Sequence, residues 1–273
     1  MDFVKEFGLN LPVNSQQLKM IEDARAVIRY HQVLGITDYP PDAGCLHFLD
    51  GAPEQLPAVA ARVSPQPENT PEPSATVVET LADIGAEIHE CRRCELHLRR
   101  VVPVAGRGKP WARLLIVGGW LTPPEKVAPS PGTIFGLEED RMVARMLAAI
   151  HLEGDDVFIT NILKCGLPET CQPVATHIQC CLAYLRRQIA VIAPEVICSM
   201  GIIATRALLD LPQSLSQLRG RFHPYPALDG RQIPVMPTYH PSYLRQAEEM
   251  KKETWKDLQL IEKRLARERG GMQ

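Results

Sequence analysis

Long apolar stretches are missing from this chain of 273 residues. None approaches the roughly 20 apolar residues of a membrane span, and the opening MDFVKEFGLN lacks the basic-then-apolar layout of a secretory leader. A soluble, cytoplasmic protein with no membrane partner is expected. A basic excess is missing too: 30 Lys and Arg stand against 32 Asp and Glu, giving a formal charge of −2. No global field therefore advertises a polyanion partner, although a local stripe of Arg and Lys is enough to bind nucleic acid. No internal repeat is present. Large apolar residues are nearly absent from positions 52–75, where Pro53, Pro57, Pro65, Pro67, Pro71 and Pro73 stand among Ala, Glu and Ser. Such a segment buries too little surface to offset its ordering entropy. It reads as a linker, which makes residues 1–51 an appendage and 76–273 the main domain.

Cysteine, by contrast, is plentiful. The eight are Cys45, Cys91, Cys94, Cys165, Cys171, Cys180, Cys181 and Cys198. In a cytosolic chain they read as ligands or buried thiols before structural disulfides. Cys198, inside the apolar run EVICSMG, reads as a small buried hydrophobe.

In the appendage, residues 15–34 form a plausible helix capped by Asn14 or Ser15 and stopped at Gly35. Positions 36–51 read as irregular. In the main domain, TVVETLADIGAEIHEC carries Val77, Leu81, Ile84 and Ile88 at helical spacing and delivers Cys91 at its end. Four short apolar runs follow at Arg113–Gly118, Asp156–Thr160, Glu195–Met200 and Ile233–Thr238. Helical patterns separate them, marked by Met142 to Ile150, Ile178 to Ile189 and Ile202 to Leu209, and a last helix carries Trp255, Leu258, Ile261 and Leu265. Strands buried on both faces alternating with helices predict a parallel α/β sheet, whose ligands bind off the carboxyl ends of the strands. Past those ends lie Gly118-Gly119-Trp120, Thr160-Asn161, Gly201 and Tyr239-His240.

Cys91-Arg-Arg-Cys94 lets two thiolates from one turn grip one centre, and two more cysteines from a second segment complete four ligands. Zinc and a 4Fe–4S cluster both accept four cysteines, and unrelated thiols are the plain alternative. His240, before Pro241, is held extended; it reads as a donor to an oxyanion or as a surface histidine at a turn. Asn161 reads equally as a cap, and Phe135 as a loop aromatic tucked on the core.

Together, CRRCELH, DDVFITNILKC, CCLAYLRRQIAVIAPEVICSMG, LRGRF and PVMPTYHPSYL resemble the family 4, iron–sulfur uracil-DNA glycosylases in order and spacing, from about Ala75 to Leu265. The resemblance implies a three-layer α/β/α sandwich on a short parallel sheet. It implies a 4Fe–4S cluster on Cys91, Cys94, Cys165 and Cys181, with Cys181 preferred over Cys180 because LAYLRRQI falls in register only that way. It matches Asn161 to the residue that reads the uracil edge and Phe135 to the aromatic that stacks on the base. His240 matches the histidine that stabilises departing uracil, and Pro241-Ser242 the loop that presses on the DNA backbone. Gly118 and Gly119 match the substrate-binding loop after the first strand. DNA containing uracil is the implied partner, with Arg92, Arg93, Arg99, Arg100, Arg107, Lys109, Arg219 and Arg221 as candidate phosphate contacts. A monomer is expected, with the N-terminal helix free to recruit a protein.

Three departures stand out. The family's GEAPG-type loop is Gly118-Gly119-Trp120-Leu121-Thr122 here, so Gly119 replaces the carboxylate that positions water. Loss of such a group typically costs about 10²–10⁴-fold; Glu125, in a short insertion, is a candidate substitute. The GRAG-like sequence after the aromatic is replaced by Gly136-Leu137-Glu138-Glu139-Asp140, and the arginine after Cys165 by Gly166. A catalytically weak member repurposed for nucleic-acid or protein binding is the alternative these departures raise.

Overall fold

A computed structural model describes residues 79–124 and 129–270. The appendage helix at 15–34, the irregular 36–51, the linker 52–75 and Glu125 lie outside the described residues. The described residues belong to a unit running from Val77 to Gln273.

Helix α1 (Leu81–Glu90) starts at Thr80, whose hydroxyl accepts the Asp83 N–H at 3.3 Å while Asp83 accepts the Thr80 N–H at 2.9 Å. This reciprocal cap satisfies two of the donors a helix start leaves open. A short helix, α2 (Leu96–Arg99), follows. Strands β1 (Val102–Pro103), β2 (Arg107–Gly108) and β3 (Leu114–Gly118) lead to helix α3 (Leu137–Ala149). Then come β4 (Val157–Asn161), β5 (Cys165–Gly166), α4 (Ala175–Ile192), β6 (Val196–Met200), α5 (Ile202–Leu209) and α6 (Leu215–Leu218). The chain continues through β7 (His223–Pro226), β8 (Gln232–Thr238), α7 (Pro241–Gln246) and α8 (Lys251–Gly270).

The main sheet has six strands in the order β2-β4-β3-β6-β8-β7. Its centre, β4-β3-β6-β8, is parallel, as the apolar runs predict. Residues alternate between two cores: Leu115 and Val117 of β3 face the α4 and α5 side with Leu185, Ile189 and Leu208. Leu114 and Ile116 face the α3 and α8 side with Val143, Leu147, Leu258 and Ile261. Helices thus cover both faces, giving the three-layer α/β/α arrangement.

The edges add to the expected parallel sheet: β2 and β7 both run antiparallel, so the sheet as a whole is mixed. Neither carries an apolar run. Gly108 lies so close to β4 that a Cβ would stand 2.3 Å from the Val157 carbonyl oxygen, at φ +136. In β7, His-Pro-Tyr-Pro tolerates two prolines because an edge strand leaves N–H positions unused. Among the described residues no helix is long and apolar enough to cross a membrane.

One buried ion pair secures the end of β8. Arg219 donates to Asp257 at 3.0 and 2.9 Å, and the Thr238 hydroxyl donates to the same carboxylate at 2.7 Å. Asp257 is fully buried, and desolvation raises its pKa against the pull of Thr238 and Arg219. Arg219 is therefore committed to the fold, which removes it from the candidate phosphate contacts. Asp257→Ala, which strands Arg219, is expected to cost about 3–5 kcal/mol in urea unfolding.

Candidate active site

The site forms where the parallel strands end, as the sheet topology requires. Gly118, the last residue of β3, sits in register beside Asn161, the last of β4. Past this pair the two chains stay zipped: the Ile162, Leu163 and Leu167 N–H groups donate to the Gly118, Gly119 and Leu121 carbonyls at 2.9, 3.0 and 2.9 Å. From the other side, Gly201 after β6 adopts φ +89 and donates to the Thr238 carbonyl at 2.8 Å. That contact fixes the β8 exit, which carries His240.

Asn161 is fully buried. Its Nδ2 donates to the Ile134 carbonyl at 2.6 Å, while Oδ1 has no partner among the described residues. An unpaired buried acceptor is costly unless a ligand supplies a donor. Gly118 lies against this atom: a Cβ there would stand 2.7 Å from Oδ1 and 2.3 Å from Phe135 Cε1. The Phe135 ring packs on the glycine backbone and meets the His240 ring edge-on at 5.2 Å. Asp140 holds that loop, accepting the Ile134 and Phe135 N–H groups at 2.9 and 3.1 Å.

His240 caps α7, with Nδ1 accepting the Ser242 N–H at 3.2 Å and standing 2.8 Å from the Ser242 hydroxyl. An acceptor role at Nδ1 leaves the ring proton on Nε2. Although the residue keeps some solvent exposure, protein atoms crowd the ring, and desolvation lowers its pKa from 6.5 to about 4 despite the opposing charge of Glu139. At neutral pH the imidazole is an uncharged Nε2–H donor. Structure thus joins Gly118, Phe135, Asn161 and His240 in a chain of contacts, with Ser242 linked through His240; Gly119 adjoins them without a functional group.

The second half of the site lies behind β4. Helix α1 docks on α4 through Arg187, which pairs with Glu79 and Glu87, and through Ile84, Ile88 and Tyr184. This brings the CxxC turn to α4. Cys165 and Cys181 are buried, and Cys91 and Cys94 half-buried; all four are free thiols. They lie within each other's electrostatic reach: Cys94 and Cys91 act on Cys165, and Cys165 and Cys94 on Cys181. Burial pushes the Cys181 thiol up to about 11 and raises Cys94 and Cys165 as well. Cys180 also acts on Cys94 and is half-buried, whereas Cys181 is buried. No three His, Cys, Asp or Glu side chains among the described residues close on a single metal ion. The donor set, the apolar surroundings and the nearby charge of Arg100, which opposes the rise in the Cys165 pKa, fit an anionic cluster.

Sequence reasoning missed the group between the two halves. Lys164 is 1% exposed, and its Nζ donates to Thr160 Oγ1, the Asn161 carbonyl and Gln188 Oε1 at 2.7, 2.6 and 2.7 Å. All three ammonium protons are used. Burial brings its pKa down from 10.5 to about 7, opposed by Cys181. A lysine inside the otherwise apolar ILKC was the available signal.

Comparison with known proteins gives a consistent family. A sequence model of the "Uracil DNA glycosylase superfamily" matches residues 105–259. The "Type-4 uracil-DNA glycosylase" of Archaeoglobus fulgidus is 30% identical over 188 residues, covering 67% of this chain and 92% of the relative. Proteins of the same description match from Sulfurisphaera tokodaii, at 31% over 170 residues (60% of this chain, 76% of the relative), and from Thermotoga maritima, at 32% over 168 residues (61% and 84%).

The glycine pair makes a contrasting prediction. At Gly118 a methyl group meets Phe135 and Asn161, while at Gly119 the nearest atoms, of Ile203, are 3.9 Å away. Gly118→Ala is expected to destabilise by about 1–3 kcal/mol through overpacking. Gly119→Ala should stay within about 0.5 kcal/mol of the parent, both read by denaturant unfolding.

Proposed function

The chain belongs to the uracil DNA glycosylase superfamily, and from that premise we propose that it excises uracil from DNA by hydrolysing the N-glycosidic bond. The observation that carries the reading is the buried, unpaired Oδ1 of Asn161. Uracil presents an N3–H donor on its pairing edge, the partner this buried acceptor lacks.

The target nucleotide leaves the stack at a cost of a few kcal/mol. Phe135 recovers part of it by stacking and Asn161 by hydrogen bonding. As the bond from C1′ to N1 breaks, negative charge grows on the pyrimidine oxygens. The His240 Nε2–H meets it as a neutral donor already oriented by Ser242; such a donor is worth about 3 kcal/mol. Gly118, by lacking a side chain, lets Phe135 and Asn161 close together at that point. Water adds to C1′, leaving an abasic site.

Cys91, Cys94, Cys165 and Cys181 would hold a 4Fe–4S cluster, which when bound supplies a cross-link between α1, β5 and α4. Arg100 supplies positive charge beside it. Phosphate contacts fall to Arg92, Arg93 and Arg99 on the CxxC segment and to Arg107, Lys109 and Arg221, all of them exposed. In the same reading, residues 76–273 form a monomeric catalytic domain in the cytoplasm. Residues 1–51 form an appendage for a protein partner, joined through 52–75.

Labelled single- and double-stranded oligonucleotides containing one uracil, treated with protein and then alkali, test the activity. Strand cleavage at the uracil is expected; none at high protein excess sinks the reading. His240→Ala should lower the rate by about 10²–10³-fold, and full activity would remove its assigned role. Purified protein should be brown with a visible thiolate-to-iron absorption that Cys165→Ser or Cys181→Ser abolishes. A colourless zinc protein would rule the cluster out.

A further inference from the structure

Gly119 leaves the loop after β3 without a carboxylate, yet another acid stands at the pocket. Three follow Phe135, and their surroundings differ. Asp140 is spent on the Ile134 and Phe135 N–H groups. Glu138 is 53% exposed and pairs with Arg141. Glu139 has only 12% of its side chain exposed.

The Glu139 carboxylate folds back over the Phe135 loop. A Cβ on Gly136, the residue after Phe135, would lie 2.4 Å from Oε2, and Gly136 holds φ +140 to make this room. Oε1 accepts from Arg245 at 2.7 Å, and Oε2 takes no hydrogen bond among the described residues. The charge of Glu139 also reaches His240, whose ring touches Phe135. The carboxylate therefore lies against the Phe135 loop, and the Phe135 ring meets His240.

Resting on the glycosylase reading, we infer that Glu139, carried on α3 instead of the loop after β3, is the catalytic carboxylate that orients the attacking water. The C1′–N1 bond breaks with its electron pair on the base. The water oxygen bonds to C1′, and its proton passes by way of Glu139 Oε2 to solvent, which protonates the released uracil anion. The carboxylate charge also offsets the cation on the sugar. Arg245, 51% exposed on α7 just after His240-Pro241-Ser242, is its countercharge in the free protein. A DNA phosphate arriving there shares that guanidinium and leaves the carboxylate to the water.

The test is single-turnover excision from a single-stranded oligonucleotide with one uracil. Wild type, Glu139→Gln, Arg245→Met and the double variant Gly119→Glu/Glu139→Gln are compared, with folding checked by thermal unfolding. Glu139→Gln is expected to lose about 100-fold in rate constant with half-saturation shifted by less than about threefold. Arg245→Met should weaken half-saturation and keep most of the rate. The double variant should regain rate over Glu139→Gln, since the space at Gly119 admits a side chain. A Glu139→Gln rate within about threefold of an active wild type overturns the inference alone. A rate lost equally in Arg245→Met overturns it too, because the pair would then be structural. Wild type that excises nothing overturns the glycosylase reading and this inference with it.

Discussion

The pocket depends on one close approach, that of the Gly118 backbone to Phe135 and Asn161. Parallel register puts Gly118 and Asn161 side by side at their strand ends, and only the absence of a side chain at 118 lets the ring and amide close over that point. Because Asn161 Nδ2 is already bound to the Ile134 carbonyl, its orientation is fixed and the buried Oδ1 is the atom left without a partner. Preorganisation of this kind spends folding energy in advance, as the cost of an unpaired buried acceptor, and recovers it on binding.

A single stretch, from β4 through β5, serves both halves of the site. Asn161 looks to the base pocket, Cys165 to the thiols, and Lys164 lies between them. Burying an ammonium without partners costs many kcal/mol. Lys164 tolerates it because Thr160, Asn161 and Gln188 each present an oxygen within 2.7 Å. Any shift of α4 that carries Cys181 also carries Gln188 and so pulls on the Asn161 backbone. The thiol site and the base pocket are mechanically joined at this lysine.

The sequence made the centre of the fold legible and left its margins obscure. Buried parallel strands announce themselves as apolar runs, so β3, β4, β6 and β8 fall within a residue of the reading. The antiparallel edges β2 and β7 do not, since Gly108 is there for a close backbone approach and the prolines of β7 mask a strand. Residues with distinctive chemistry at strand ends, Asn161 and His240, were visible for the same topological reason. Lys164, Asp140 and Glu139 were not. Their roles depend on what faces them across the fold, from Gln188 on α4 to Arg245 on α7, and no local pattern encodes those meetings. Arg219 shows the converse, a basic residue that looks like a phosphate contact until Asp257 is found beneath it.

The acids after Phe135 alter more than one balance. Asp and Glu in the first turn of a helix are favoured by its dipole, so α3 accepts Glu138, Glu139 and Asp140 at little cost to folding. Their charge nevertheless opposes phosphate along that rim, with a reach of about 8 Å in physiological salt. Arg141 and Arg245 are tied to two of the three and blunt this opposition. The electrostatics therefore divide: positive charge lies on the CxxC side with Arg92 and Arg99, and negative charge lies at the α3 rim. There a carboxylate is unfavourable to phosphate but favourable to a sugar that turns cationic as its base departs. The same residues that weaken general binding thus stabilise the one state in which charge on the substrate changes sign.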